Sequence, residues 1–264
     1  MRVEAAGIEV IRLPWSQCLG GAALFVRMGA CLAVAPVFGT AAAPPQLRAG
    51  FAVLLTALLL PVVPAPDLAA GIFGLVVGEA FVGFLLGFSA LMVVEVAAVA
   101  GDLVGYPTGL SLAQQLDPVT QGEATTASAF YRLTGLLVFI AVGGHRQMLA
   151  ALGESYRIVP VGGVHLLGDW LPSVVGLTGR ALALGLQMAA PVLVAGLLVD
   201  VFLMLVARAA PQMNLLVVGA PIRLAIGLLA IAFSLQMLAP LLGEAVDASL
   251  LDAGRSLEAL AGKP

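Results

Sequence analysis

Residues 72–100 read IFGLVVGEAFVGFLLGFSALMVVEVAAVA, and Glu79 and Glu95 are the charged residues in that run. As a helix the run extends about 45 Å at roughly 1.5 Å per residue. That exceeds the hydrocarbon core of a bilayer, which is about 30 Å thick. Glu79, Gly83 and Gly87 stand at i, i+4 and i+8, and Ala97, Gly101 and Gly105 repeat the spacing. Small residues every fourth position let helix backbones approach closely. Beside an embedded glutamate, the stripe predicts a helix packed on protein along most of its length.

Further apolar runs lie at Trp15–Ala35, Ala49–Leu60, Ala127–Val142, Leu177–Val206 and Leu215–Leu241. A span needs roughly 20 helical residues, so the runs at Ala49 and Ala127 are short. The pattern predicts an all-α protein of hydrophobic helical hairpins, about six helices in all. Prolines and glycines mark the breaks at 36–45, 61–66, 101–126 and 209–212, and a more polar connection covers Gly143–Gly176. Of 264 residues, 61% are apolar and 10% charged, and the mean hydropathy is +1.09. Soluble domains carry roughly 25% charged residues, so this is a membrane protein. A net charge of −3 removes the electrostatic footprint of a nucleic-acid binder.

The N-terminal stretch with Glu4, Glu9 and Pro14 makes a poor signal peptide, so the first apolar segment is expected to stay. Cys18 and Cys31 are about 20 Å apart along one helix, too far for a disulfide, and read as packing residues. If six helices alternate, Arg2, Arg12, Arg146, Arg157, Arg255 and Lys263 fall on one side, against Arg48 and Arg208 on the other. The positive-inside rule then places both termini in the cytoplasm.

Arg27, Glu79, Glu95, Arg132, Asp200 and Arg223 sit within or at the ends of apolar segments. Each would cost about 2.5–3.5 kcal/mol at a lipid-facing helix centre. Six such residues call for partners inside a bundle, across a subunit interface or in water. One reading is a small-molecule transporter with Asp200, near Pro191 and Gly196, and Glu79 in its site. The other is a scaffold in which opposite charges pair between helices or subunits. Abundant arginine favours the scaffold, because its forked charge suits buried pairing and releases no proton. Asp200 and Arg208, eight residues apart on one helix, are separated by about 12 Å and roughly 80°, so each is expected to meet another helix or subunit. Arg223 is expected to do the same.

His145 and His165 have no Cys or Glu at ligand spacing, so no metal site is expected. No phosphate loop, catalytic triad or redox CxxC occurs, so neither cofactor nor enzymatic activity is expected. The stretch 101–126 is too long for a turn, given a median connection of about 4–6 residues. Gly105, Pro107, Gly109 and Pro118 disfavour a continuous helix there. Leu110, Leu112 and Leu116 are nevertheless apolar. Non-helical backbone at membrane depth is tolerated where it is buried in protein or lines a cavity.

Several stretches together carry a family likeness. They are Arg27-Met28-Gly29-Ala30, Ala35-Pro36-Val37-Phe38-Gly39 with Pro45 and Arg48, Gly78-Glu79 with Gly83 and Gly87-Phe88, and Ala100-Gly101 leading to Gly109-Leu110-Ser111-Leu112-Ala113 and Asp117-Pro118. The most specific is Ala207-Arg208-Ala209-Ala210-Pro211-Gln212-Met213-Asn214, followed by Val218-Gly219-Ala220-Pro221. In these the chain resembles the flagellar biosynthetic protein FliR family, the R subunit of the flagellar type III export gate, from about residue 15 to 245. The injectisome T subunit is the related alternative, and the wording of 109–118 resembles the flagellar branch.

The resemblance implies one turn of a spiral of helical hairpins in the bacterial inner membrane, at the flagellar basal body. Its partners would be P-type and Q-type gate subunits, a B-type switch subunit, membrane lipid and exported unfolded flagellar proteins. Residues 1–176 would be the P-like part and 177–264 a Q-like hairpin with a C-terminal tail. It further implies a plug in the channel, with candidates Gly105, Tyr106, Pro107, Gly109, Leu110, Leu112, Leu116 and Pro118. Arg27, Glu79, Glu95, Arg132, Asp200, Arg208 and Arg223 are the assembly candidates.

Overall fold

The computed structural model describes residues 4–5, 8–9, 15–39, 44–63, 71–110, 125–164, 170–212 and 214–261. A minimal antiparallel ladder, β1 (Glu4–Ala5) and β2 (Ile8–Glu9), sets Glu4 opposite Glu9 and Ala5 opposite Ile8. All other elements are helices: α1 (Trp15–Val34), α2 (Pro45–Leu59), α3 (Gly71–Gly105), α4 (Thr126–Ala141), α5 (Gly144–Ile158), α6 (Trp170–Ala209) and α7 (Leu215–Leu260). Seven helices stand among the described residues, where about six were expected.

The additional helix is α5, which occupies part of the connection expected at 143–176. Its buried residues Met148, Leu152 and Tyr156 follow one another every fourth position, while Arg146, Glu154 and Arg157 are exposed. That is a half-buried amphipathic helix. Gly143, at φ +82°, makes the turn at the end of α4. Two boundaries also move. α3 continues through Gly101 to Gly105, so the connection begins at Tyr106 rather than at 101. α7 runs on past Leu241 to Leu260, because Ala245, Val246, Ser249, Ala253, Leu257 and Leu260 bury one face at helical spacing.

The chain forms two compact units, Met1–Ser89 with Arg146–Ser173 and Asp252–Pro264, and Ala90–His145 with Val174–Leu251. In the first, α1 packs on α3 where Gly83 and Gly87 leave space. A Cβ on Gly83 would overlap the Arg27 carbonyl oxygen, and one on Gly87 would lie 2.5 Å from the Cys31 carbonyl oxygen. Phe38 stacks on Phe51 at 5.2 Å, and Phe81 meets Trp170 edge-on at 4.7 Å.

In the second unit, the small-residue stripe continues against α4. A Cβ on Gly101 would come within 2.6 Å of Ser128 Cα, and one on Gly135 within 2.6 Å of Ala97 Cβ. Ser128 Oγ donates to the Ala98 carbonyl at 3.1 Å. The expected packing of α3 on protein is therefore present in both units. Gly83→Val should force α1 away from Glu79 and cost about 1–3 kcal/mol through overpacking. A thermal melt of the purified chain checks this.

α1, α3, α6 and α7 are each long and apolar enough to cross a membrane, and the α4–α5 pair passes the same test jointly. α2, at 15 residues, is short for a span.

Candidate functional site

The six embedded charges resolve into three arginine–carboxylate pairs, each joining two helices. Arg27 on α1 meets Glu79 on α3, Arg132 on α4 meets Glu95 on α3, and Arg223 on α7 meets Asp200 on α6. The scaffold reading expected opposite charges to pair between helices, and within the chain they do so. Glu79 and Asp200, the carboxylates of the transporter reading, belong to different units, and each is beside its own arginine.

The Arg27–Glu79 pair is closed. Both side chains are 0% exposed. Nε of Arg27 donates to Oε2 at 2.7 Å and Nη2 to Oε1 at 3.1 Å, a two-pronged contact that only guanidinium geometry allows. Nη1 donates to Ser155 Oγ at 3.0 Å, and Nη2 also reaches the Val159 carbonyl at 3.1 Å. The Gly162 N–H donates to Glu79 Oε1 at 3.1 Å. Tyr156 lays its ring against the guanidinium, 4.1 Å from Cζ to the centroid. Ser155 Oγ in turn donates to the Leu152 carbonyl at 2.6 Å.

A buried pair repays its desolvation when further hydrogen bonds satisfy the remaining groups. Here α5 and the turn after it supply them. Sequence reasoning identified Arg27 and Glu79 but not Ser155, Tyr156, Val159 or Gly162. The signal was available in the apolar i, i+4, i+8 spacing of 148, 152 and 156.

The other pairs are open to their surroundings. Arg132 Nη2 lies 2.7 Å from Glu95 Oε2, with side chains 56% and 28% exposed. Arg223 Nη2 lies 2.8 Å from Asp200 Oδ1, with side chains 40% and 42% exposed. Beyond that ion-pair contact, Asp200 Oδ1 and Arg223 Nε are buried and make no hydrogen bond among the described residues. Arg208 is exposed in the last turn of α6, where the negative end of the helix dipole favours a cation.

The plug candidates divide at residue 110. Gly105 is the last residue of α3, and Tyr106–Leu110 form a turn, with the Gly109 N–H donating to the Tyr106 carbonyl at 3.2 Å. Gly109 has φ +75°, a left-handed conformation that glycine adopts without strain. The turn is anchored. Pro107 fits against Gly196 of α6, where a Cβ would overlap it, and Thr108 against Gly227 of α7, where a Cβ would lie 2.6 Å from its Cγ2. Thr108 is fully buried and donates to the Val104 carbonyl at 2.9 Å.

Tyr106, by contrast, is 66% exposed. At the far end of the connection, Thr125 Oγ1 donates to Asp102 Oδ1 at 3.2 Å and accepts the Ser128 N–H at 3.0 Å as helix cap. Leu112, Leu116 and Pro118 lie outside the described residues, as does His165. Among the described residues no group of three or more His, Cys, Asp or Glu could hold a metal ion.

The family model for bacterial export proteins, family 1, matches residues 19–249. The chain is 30% identical over 228 residues to the flagellar biosynthetic protein FliR of Caulobacter vibrioides, covering 84% of this chain and 91% of that protein. It is 26% identical over 218 residues to the Escherichia coli protein of the same name, covering 81% and 84%. It is also 28% identical over 223 residues to the Yop proteins translocation protein T of Yersinia pestis, covering 81% and 85%. A match spanning both compact units and all three ion pairs places the whole helical core in one family: the chain belongs to the bacterial export proteins, family 1.

Proposed function

We propose that this chain is the R-type subunit of the flagellar type III export gate, in the inner membrane at the flagellar basal body. There it assembles with P-type and Q-type subunits, beside a B-type switch subunit, around the channel that passes unfolded flagellar proteins. The observation that carries the reading, beside the family, is the exposure of the last hairpin. The most apolar windows of α6 and α7 are 28% and 22% buried. Leu197, Leu198, Phe202 and Leu205 on α6, with Leu228, Leu229 and Phe233 on α7, are exposed. Large exposed apolar side chains along both helices of a hairpin mark an interaction face or a membrane face.

The P-like and Q-like parts at 1–176 and 177–264 belong to this proposal, and so does the plug. The anchored turn at 106–110 holds the base of a loop that obstructs the channel until substrate displaces it. The role is conduction and closure rather than covalent chemistry, with export energised by partners and the proton gradient.

The test is purification from gentle detergent of the tagged chain, expressed with its neighbouring gate genes in a strain lacking its own copy. Recovery of P- and Q-type subunits together with restored motility is expected. A chain that purifies alone and moves a small solute unaided would return the transporter reading. Restored injectisome secretion without motility would instead assign the T-subunit role.

A further inference from the structure

Gly196 and Gly227 stand on different helices, yet they receive two consecutive residues of the turn after α3, Pro107 and Thr108. Both glycines are buried. The turn is held there by shape. The Thr108 hydroxyl is engaged within α3, donating to the Val104 carbonyl at 2.9 Å and the Gly105 carbonyl at 3.2 Å, so its methyl group is what meets Gly227. Two sockets on two helices can take neighbouring residues when the helices stand at one level.

The contacts of the α6–α7 hairpin show how that level is set. Near the hairpin turn, Leu203 Cδ1 lies 3.1 Å from where a Cβ on Gly219 would stand. The next contact is Asp200 with Arg223 at 2.8 Å. Four residues further from the turn, on each helix, come Gly196 and Gly227. Residues four apart share a helix face and are about 6 Å apart along the axis. The ion pair therefore lies one helical turn from both sockets, and all these residues belong to one compact unit.

The glycines themselves cannot hold the level, having no side chains to interlock. Their neighbours Leu197, Leu198, Leu228 and Leu229 are exposed. Each helix also carries a proline close by, Pro191 five residues before Gly196 and Pro221 two before Arg223. A proline inside a helix removes a backbone hydrogen bond and kinks the axis, so the backbone alone leaves the register loose. A guanidinium facing a carboxylate is directional and fixes it.

We propose that Asp200–Arg223 is a positioning pair for the channel plug. It sets α6 and α7 in the register that keeps the sockets at Gly196 and Gly227 level, and so seats the turn at 106–110 from which the plug loop leaves. The inference rests on the plug reading of the proposed function and gives the pair a role within this chain.

The test is ion conductance of purified, assembled gates in lipid vesicles. Asp200→Asn removes the charge at nearly constant size. It should raise conductance several-fold, toward that of a gate lacking residues 111–116, while co-purifying subunits are recovered in wild-type amount. The charge swap, Asp200→Arg with Arg223→Asp, rebuilds the cross-helix pair and should bring conductance back toward wild type. Gly227→Val keeps the pair but fills the socket, since a Cβ there would lie 2.6 Å from Thr108 Cγ2, and it should leak as Asp200→Asn does. Asp200→Asn gates as tight as wild type would overturn the proposal, and so would a swap that leaks as much as the single change. Loss of assembly in Asp200→Asn would make the pair a support of the fold at large and would overturn it too. The 111–116 deletion separates the two claims. If that deletion does not leak, the plug reading falls and takes this inference with it. If it leaks and Asp200→Asn does not, only this inference falls.

Discussion

Glu79→Ala should remove about 3–5 kcal/mol of stability, because it leaves the fully buried Arg27 guanidinium without its counter-charge. Domain stabilities are typically about 5–15 kcal/mol, so the loss is a large share of the total. The chain should accumulate poorly and melt far below wild type in detergent. Arg27→Lys should also be severe. Lysine keeps the charge but cannot bridge both Glu79 oxygens while reaching Ser155 Oγ and the Val159 carbonyl. The double replacement Arg27→Met with Glu79→Leu should lie closer to wild type than either single change, because no charge is then stranded. A Glu79→Ala chain with an unchanged melting midpoint would show that the pair contributes little.

The second large effect concerns the connection after α3. Removing residues 111–116 should leave a complex that assembles normally but leaks ions, slowing growth or raising membrane conductance. Assembly should survive for two reasons. The deletion spares the anchors, Pro107 against Gly196 and Thr108 against Gly227, together with the Asp102–Thr125 contact. Shortening the connection from twenty residues to fourteen also changes its closure entropy by only about 0.3 kcal/mol. On the proposed plug reading, the added leak follows from losing Leu112 and Leu116, two of the apolar residues proposed to stop the channel. An assembled deletion complex with no added leak would make 106–125 a packed connection and nothing more.

The long apolar helices, the turn at 209–212 and the need to pair embedded charges were all legible in sequence, because hydropathy and helix length are local properties. The pairing itself was not. Arg27 and Glu79 are 52 residues apart, and the groups completing their site stand a further 76 to 83 residues beyond Glu79. Nothing in local spacing selects Asp200 rather than another acid for Arg223; the facing of α6 and α7 does. The helix α5 escaped because its polar face lowers the average, so an apolar-run reading treats it as a connection. The end of α7 escaped in the same way, since Ser249, Asp252 and Ser256 are polar and yet buried. Gly101 was read as the start of the break and Gly105 as disfavouring a helix, although both also stand on the small-residue stripe. They are helical because close packing on Ser128 and Thr125 uses their missing side chains.

The central claim is that this chain lines and closes the path of an exported protein. Its most direct test places a photo-crosslinking residue at the exposed Tyr106, in assembled gates holding an export substrate stalled by a folded C-terminal fusion. The account predicts a covalent adduct between position 106 and the stalled substrate, and none when the substrate is absent. Stalled gates whose P-type subunits crosslink to substrate, while position 106 attaches only to other gate proteins or lipid, would contradict it.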